Sequence, residues 1–140
     1  MFDVLPIVSS NAVDCGPTCL AMMPQYYGST YDMAQLIREC NTRIGGCSAA
    51  DILRVGRAHG MDMKSYKTDV DGLLTADRPA IIWWRYCHFV VFCGLDENGQ
   101  IVICNPSNGR YRMSKGLFTT FYSGIALSNG EIEDLPIEEE

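Results

Sequence analysis

The sequence predicts an α+β domain in which N-terminal helices pack on a C-terminal antiparallel sheet. Three observations carry this. The chain has 140 residues and 47% hydrophobic side chains, enough for one domain with one sizeable core. Helical patterning with caps and glycine stops fills roughly the first sixty positions. Short apolar runs divided by turn signals fill the rest, and helices followed by strands make an α+β arrangement.

The elements follow in order. "GPTCLAMMPQYYG" predicts a helix from Gly16 to about Tyr27, closed by Gly28 and kinked by Pro24 in its last turn. Ser29 or Thr30 is placed to cap a second helix ending near Cys40. "CNTRIGGC" reads as a loop. Ser48 caps a third helix whose Ala49, Ile52, Leu53 and Val55 face inward, and Gly60 stops it. "MDMKSYK" is a first strand, "DVDGLLTAD" a short helix or turn, and "PAIIWW" a second strand. "HFVVFCGL" and "QIVIC" flank "DENG", a hairpin signal. A short helix at about 114–122 precedes "SGIAL", the last strand.

Composition excludes several functions. The formal net charge is −6, so the basic footprint of a nucleic-acid binder is missing. One folded domain is expected over residues 1–130. The run "EIEDLPIEEE" at 131–140, with six acidic side chains, reads as a solvated, frayed tail. "MFDVLPIV" lacks a basic n-region, and no apolar run approaches the roughly 20 residues of a membrane helix. A cytoplasmic protein with no membrane insertion is expected. Seven cysteines without a secretory signal are expected to remain thiols. No CxxC pair occurs, and Cys15 and Cys19 have no second pair at zinc-like spacing, so neither metal nor cofactor is expected.

Cys15 is the position with chemistry. A thiol at a helix start meets unpaired N–H groups and the positive end of the macrodipole, and both favour the nucleophilic thiolate. Burial as a small core residue is the equally weighted alternative. Pro17 suits a first helical turn. A nucleophile needs a base, and the chain has two histidines. His59 ends the third helix and reads as a partner of its C-terminal dipole. His88 stands at the mouth of a strand buried on both faces, as a base or as a satisfied core histidine. If "DENG" forms a two- or four-residue loop, Leu95 pairs with Gln100 and Val90 opposes Asn105. His88 and Asn105 then share a face as diagonal neighbours, about 7–8 Å apart. A three-residue loop would move Asn105 to the other face. Asn105 also precedes Pro106, so turn initiation is its plainer role.

In this order, "DCGPTCLAMMPQYYG", "HFVV" and "NP" resemble the C39 family of cysteine peptidases, over about Ile7 to Leu127. The resemblance implies a papain-like fold and removal of leader peptides after a Gly-Gly motif, usually within exporters of bacteriocins and other peptides. It makes Cys15 the nucleophile, His88 the base and Asn105 the orienter, where the family usually has aspartate. The Cys15 backbone N–H would contribute to an oxyanion hole. The family usually places a glutamine donor six residues before the cysteine, and Ser9 stands there. Ser10 and Asn11 are the substitutes if the loop bends differently. The expected partners are a peptide with an amphipathic leader and an exporter encoded elsewhere, since the chain reads as a free-standing domain. Tyr26, Tyr27, Trp83 and Trp84 read as core or groove wall. Cys19, one turn beyond Cys15 on the same helix face, reads as core packing, with a redox partner for Cys15 as the lesser alternative. Two other functions stay open: a C39-like module of weak chemistry that holds a peptide, favoured by Ser9 and Asn105, and amidase or transglutaminase chemistry on the same triad.

Overall fold

A computed structural model of the protein describes residues 1–9, 11–26, 31–85 and 88–133. Six antiparallel strands form one sheet in the order β1-β6-β2-β3-β4-β5. They are β1 (Lys64–Lys67), β2 (Ala80–Trp84), β3 (His88–Leu95), β4 (Ile101–Asn105), β5 (Gly109–Met113) and β6 (Tyr122–Ser128). The helices are α1 (Cys15–Tyr26), α2 (Met33–Glu39), α3 (Ala49–Ala58), α4 (Val70–Leu73) and α5 (Lys115–Phe121). The α+β class and the helices-on-sheet arrangement are as the sequence predicts.

Strand alternation explains the layering. In β3, Phe89, Val91 and Cys93 face a core shared with α1, α2 and α3, including Leu20, Met22, Met23, Leu36 and Ile52. Val90 and Phe92 face a second core, where Leu73 and Phe118 come from α4 and α5. The sheet is therefore covered on both faces, which accounts for the continuous apolar run of β3.

Local chemistry sets the helix boundaries. In α3, the Ser48 hydroxyl accepts from the Asp51 amide, and the Asp51 carboxylate accepts from the Ser48 amide. Gly60 follows at φ +89°, and Ile52 and Val55 are buried. Two predicted boundaries are corrected. The second helix is capped by Asp32, not Ser29 or Thr30, because the Asp32 carboxylate accepts from the Gln35 amide at 3.2 Å. The first helix begins at Cys15 rather than Gly16, and a 3-10 turn over Ala12–Asp14, capped by Asn11, precedes it. Ser10, Tyr27, Gly28, Ser29, Thr30 and Cys87 lie outside the described residues.

The hairpin holds the predicted register at the end that matters. Val91 pairs with Cys104 and Phe92 with Ile103, which sets Val90 opposite Asn105 as read from the sequence. Nearer the turn the register slips, so Leu95 pairs with Ile101 rather than Gln100. The slip takes place around Gly94, whose φ of +87° suits a bulge.

Three features carry no signal in the sequence. Strand β5 is polar, with Arg110 and Arg112 exposed, because it is the sheet edge. The N-terminal segment docks on the hairpin: the Phe2 amide donates to the Cys93 carbonyl at 2.7 Å, Val4 is buried, and the Ser9 amide donates to the Pro106 carbonyl at 2.8 Å. The acidic run is anchored where it begins. Ile132 is buried, and the Thr68 hydroxyl donates to the Glu133 carbonyl at 3.0 Å. Residues 134–140 lie outside the described residues. No described helix is long and apolar enough to cross a membrane.

Candidate active site

Three elements converge on one point. α1 lies against β3, which brings Cys15 at its first residue beside His88 at the first residue of β3. Asn105 ends the neighbouring β4. His88 Nε2 lies 2.8 Å from Asn105 Oδ1, and the Cys15 thiol is hydrogen-bonded to the same imidazole. Because Nε2 is taken by Asn105, Nδ1 is the nitrogen left for the sulfur.

The surroundings favour charge separation. Burial pushes the Cys15 pKa up. The hydrogen bond to His88, the Phe89 amide, the charge of a protonated His88 and the Gly16 amide together hold it below the ordinary thiol value. The His88 pKa is raised by the Cys15 hydrogen bond, lowered by burial, and raised again by Asn105 and by the thiolate charge. It stands above the ordinary histidine value. Thiolate and imidazolium are thus each stabilised by the other.

Asn105 is held by three neighbours. Its Oδ1 accepts from the Ser107 amide at 2.9 Å and faces His88, while its Nδ2 donates to the Tyr111 hydroxyl at 3.2 Å. The turn reading of Asn105 and its pairing with His88 both hold. The Asx turn formed with Ser107 is what aims the side chain.

A cavity of about 170 Å3 opens beside Cys15, lined by Val13, Ile44, Gly45, Gly46, Cys47, Trp83 and Phe89. The "CNTRIGGC" loop supplies one wall, closed by mutual backbone hydrogen bonds between Arg43 and Gly46. A Cβ on Gly16 would come within 2.4 Å of Cys47 Sγ, so a larger residue there would force the Cys47 side chain to shift.

Other expected residues stand apart. The Ser9 hydroxyl donates to the Asn11 carbonyl at 2.9 Å, and Ser9 lines a different cavity with Ile7, Asp14, Thr18 and Tyr31. The Asn11 side chain accepts from the Val13 amide. His59 pairs with Glu39 at 3.1 Å at the end of α3. Cys19 is fully buried, and burial, followed by the neighbouring Cys15 and Cys104, pushes its thiol well above the ordinary value. Trp84 is core and Trp83 is cavity wall, whereas the Tyr26 side chain lies outside the described residues. Sequence reasoning misses the Phe89 amide, Cys47 and Tyr111. Of these only Cys47, at the end of a glycine-bearing loop, leaves a trace in the sequence. Among the described residues, no three His, Cys, Asp or Glu side chains gather to hold a metal ion.

The sequence and the fold are similar to those of known proteins. The chain is 28% identical over 124 residues to the probable microcin-H47 secretion/processing ATP-binding protein MchF of Escherichia coli, covering 88% of this chain and 18% of that protein. It is 27% identical to the colicin V secretion/processing ATP-binding protein CvaB of Escherichia coli, with coverage of 88% and 18%. The chain therefore spans about a fifth of the length of these relatives. Its fold matches a double glycine motif protease from an AMS/PCAT transporter, solved in complex with the leader peptide, at TM-score 0.87 and 28% identity, covering 91% of each chain. It also matches the peptidase domain of Streptococcus ComA, a bi-functional ABC transporter of a quorum sensing pathway, at TM-score 0.79 and 26% identity, covering 96% of this chain and 100% of that one. The Peptidase C39 family model matches residues 5–131, nearly the whole folded chain with the Cys15, His88 and Asn105 cluster inside it, and the protein belongs to that family.

Proposed function

We propose that this chain is a thiol peptidase that removes a leader from a precursor peptide by cutting after a Gly-Gly pair. The observation that carries the reading is the hydrogen-bonded series from Cys15 through His88 to Asn105. Cys15 is the nucleophile: its thiolate attacks the scissile carbonyl. His88 gives its proton to the leaving amine, then takes one from the water that hydrolyses the thioester. Asn105 orients and steadies the imidazolium, the role an acceptor side chain plays in this arrangement.

The cavity supports the cleavage preference. Gly45 and Gly46 line it, with Ile44, Trp83 and Phe89 narrowing it, so substrate residues without a Cβ fit beside the thiol. Trp83 also borders a second, apolar cavity of about 280 Å3 with Ser48, Ala49 and Ile125. That surface suits the apolar face of an amphipathic leader. The relatives' role in secretion and processing supports an exporter as the partner that receives the product, with the peptidase on the cytoplasmic side.

The oxyanion hole draws on the Cys15 backbone N–H. Ser9 stands where the family resemblance places a glutamine, and its hydroxyl is occupied by Asn11. Losing one donor slows such reactions by about 10²–10³, so a slow peptidase is expected. The same observation favours a second reading, a C39-like module that holds a peptide without cutting it.

The test is cleavage of a synthetic precursor bearing a Gly-Gly leader, followed by mass spectrometry. Wild type should cut after the second glycine. Cys15→Ala should abolish cutting, and His88→Ala should lower kcat/KM by about 10²–10⁴. His59→Ala should change it little. Tight binding by wild type without turnover would establish the second reading. Equal losses in the two histidine variants would remove His88 from the mechanism.

A further inference from the structure

An amide in the orienting position poses a problem that a carboxylate does not. Aspartate presents an oxygen at either end, whereas asparagine presents one oxygen and one NH2. Only the oxygen accepts from the imidazole. Turned the wrong way, Asn105 would aim its NH2 at the N–H of His88.

The structure contains the means of holding it. The Ser107 amide can only donate, so the Asn105 atom 2.9 Å away from it is the oxygen. The same oxygen lies 2.8 Å from His88 Nε2, which therefore carries the proton. At the other end, Nδ2 lies 3.2 Å from the Tyr111 hydroxyl, which accepts. Tyr111 comes from β5, where it pairs with Ile103 while Gly109 pairs with Asn105. Asn105 is only 7% exposed, so without that hydroxyl its NH2 would lose a partner that water cannot easily replace.

We propose that Tyr111 is a positioning residue for the active site: with the Ser107 amide fixing which end is the oxygen, the Tyr111 hydroxyl anchors the other end and holds the Asn105 amide against rotation, oxygen towards His88, which keeps the proton on Nε2 and leaves Nδ1 to Cys15. This rests on the reading of Cys15, His88 and Asn105 as the reacting group and its supports. It extends that reading to a residue on the sheet edge that acts on the imidazole through the Asn105 amide.

The experiment is Tyr111→Phe, made in the wild-type chain and in an Asn105→Asp background. The readout is the rate of Cys15 alkylation by iodoacetamide against pH. Alkylation needs no peptide, so a chain that cuts no leader leaves this test intact. In the wild-type background the rate near neutral pH should fall about five- to tenfold, the equivalent of one neutral hydrogen bond. The pH profile should move upward, because the imidazolium loses its acceptor. In the Asn105→Asp background the same substitution should change little, because a carboxylate that turns still offers an oxygen to His88. The 15N shifts of the His88 imidazole should show less Nε2–H tautomer in Tyr111→Phe than in wild type. Unchanged alkylation and unchanged shifts in the wild-type background would overturn the proposal. Equal losses in both backgrounds would also overturn it, since they would mean that the hydroxyl acts on packing and not on the amide.

Discussion

At the scale of single residues, reactivity depends on acidity and access together. Among the six described cysteines, Cys15, Cys40 and Cys104 have lowered pKa values. The hydrogen bond from Cys93, opposed by burial and aided by Arg110, brings Cys104 to about 7, yet Cys104 and Cys40 are both fully buried. Cys47 lines the same cavity as Cys15, but its hydrogen bond with Cys40 and its burial raise its pKa. Cys15 alone among these six joins a lowered pKa to a place on the cavity wall. Iodoacetamide near neutral pH should therefore label Cys15 first, as read by peptide mass mapping. The sign of the pH effect follows from the pair. The Cys15 pKa lies below that of a free thiol, so labelling should begin at lower pH than for free cysteine. His88→Ala removes the largest lowering influence and should move the midpoint upward. Faster labelling of Cys47 would overturn the assignment of Cys15.

At the scale of elements, the loop from Cys40 to Cys47 and the start of α1 share one small volume. Cys47 Sγ and Ile52 fill the space beside Gly16, the latter at 3.2 Å from where a Cβ would stand. Gly16→Ala should therefore overpack the contact and cost about 1–3 kcal/mol of stability. Cys47→Ala in the same chain should recover much of that loss, giving a coupling of about 1 kcal/mol or more between the two sites. Urea unfolding of the two single variants and the double variant measures this. Additive losses would show that Gly16 answers to another neighbour. The same contact explains why the cavity wall stays close to the thiol.

At the scale of the whole molecule, the chain closes on itself late. β6 is the last strand in sequence, yet it lies between β1 and β2. The residues after it bind the α4 region: the Glu131 amide donates to Asp77 at 2.7 Å, the Glu133 amide donates to the Thr75 hydroxyl at 2.8 Å, and Ile132 is buried. A chain ending at Gly130 should lose about 2–3 kcal/mol relative to one ending at Glu133, from one buried isoleucine and its flanking hydrogen bonds. Thermal unfolding of the two truncations tests this. Equal Tm values would show that the acidic run contributes nothing to the fold from its first residue onward.

Local chemistry written in the sequence determined a large part of this protein. The Ser48 capping box, the Gly60 stop, the apolar run of β3 and the hairpin around "DENG" each act through neighbours a few positions away, so each is legible in the order of the residues alone. The pairing of His88 with Asn105 is legible too, since hairpin register is a local matter and the slip at Gly94 is confined to the turn end. What tertiary structure decided acts across long separations. Polar β5 is a strand because it is the sheet edge, and its alternation does not announce a core face. The insertion of β6 beside β1, the docking of residues 1–9 on the hairpin, and the meeting of Cys47 with Gly16 leave no periodic signal. The Tyr111 hydroxyl reaches the Asn105 amide only because β4 and β5 pair in one register. The sequence singled out Cys15, His88 and Asn105; the packing of α1 on β3 brought them to one point, because burial of the β3 face that carries Phe89, Val91 and Cys93 holds that helix start against that strand.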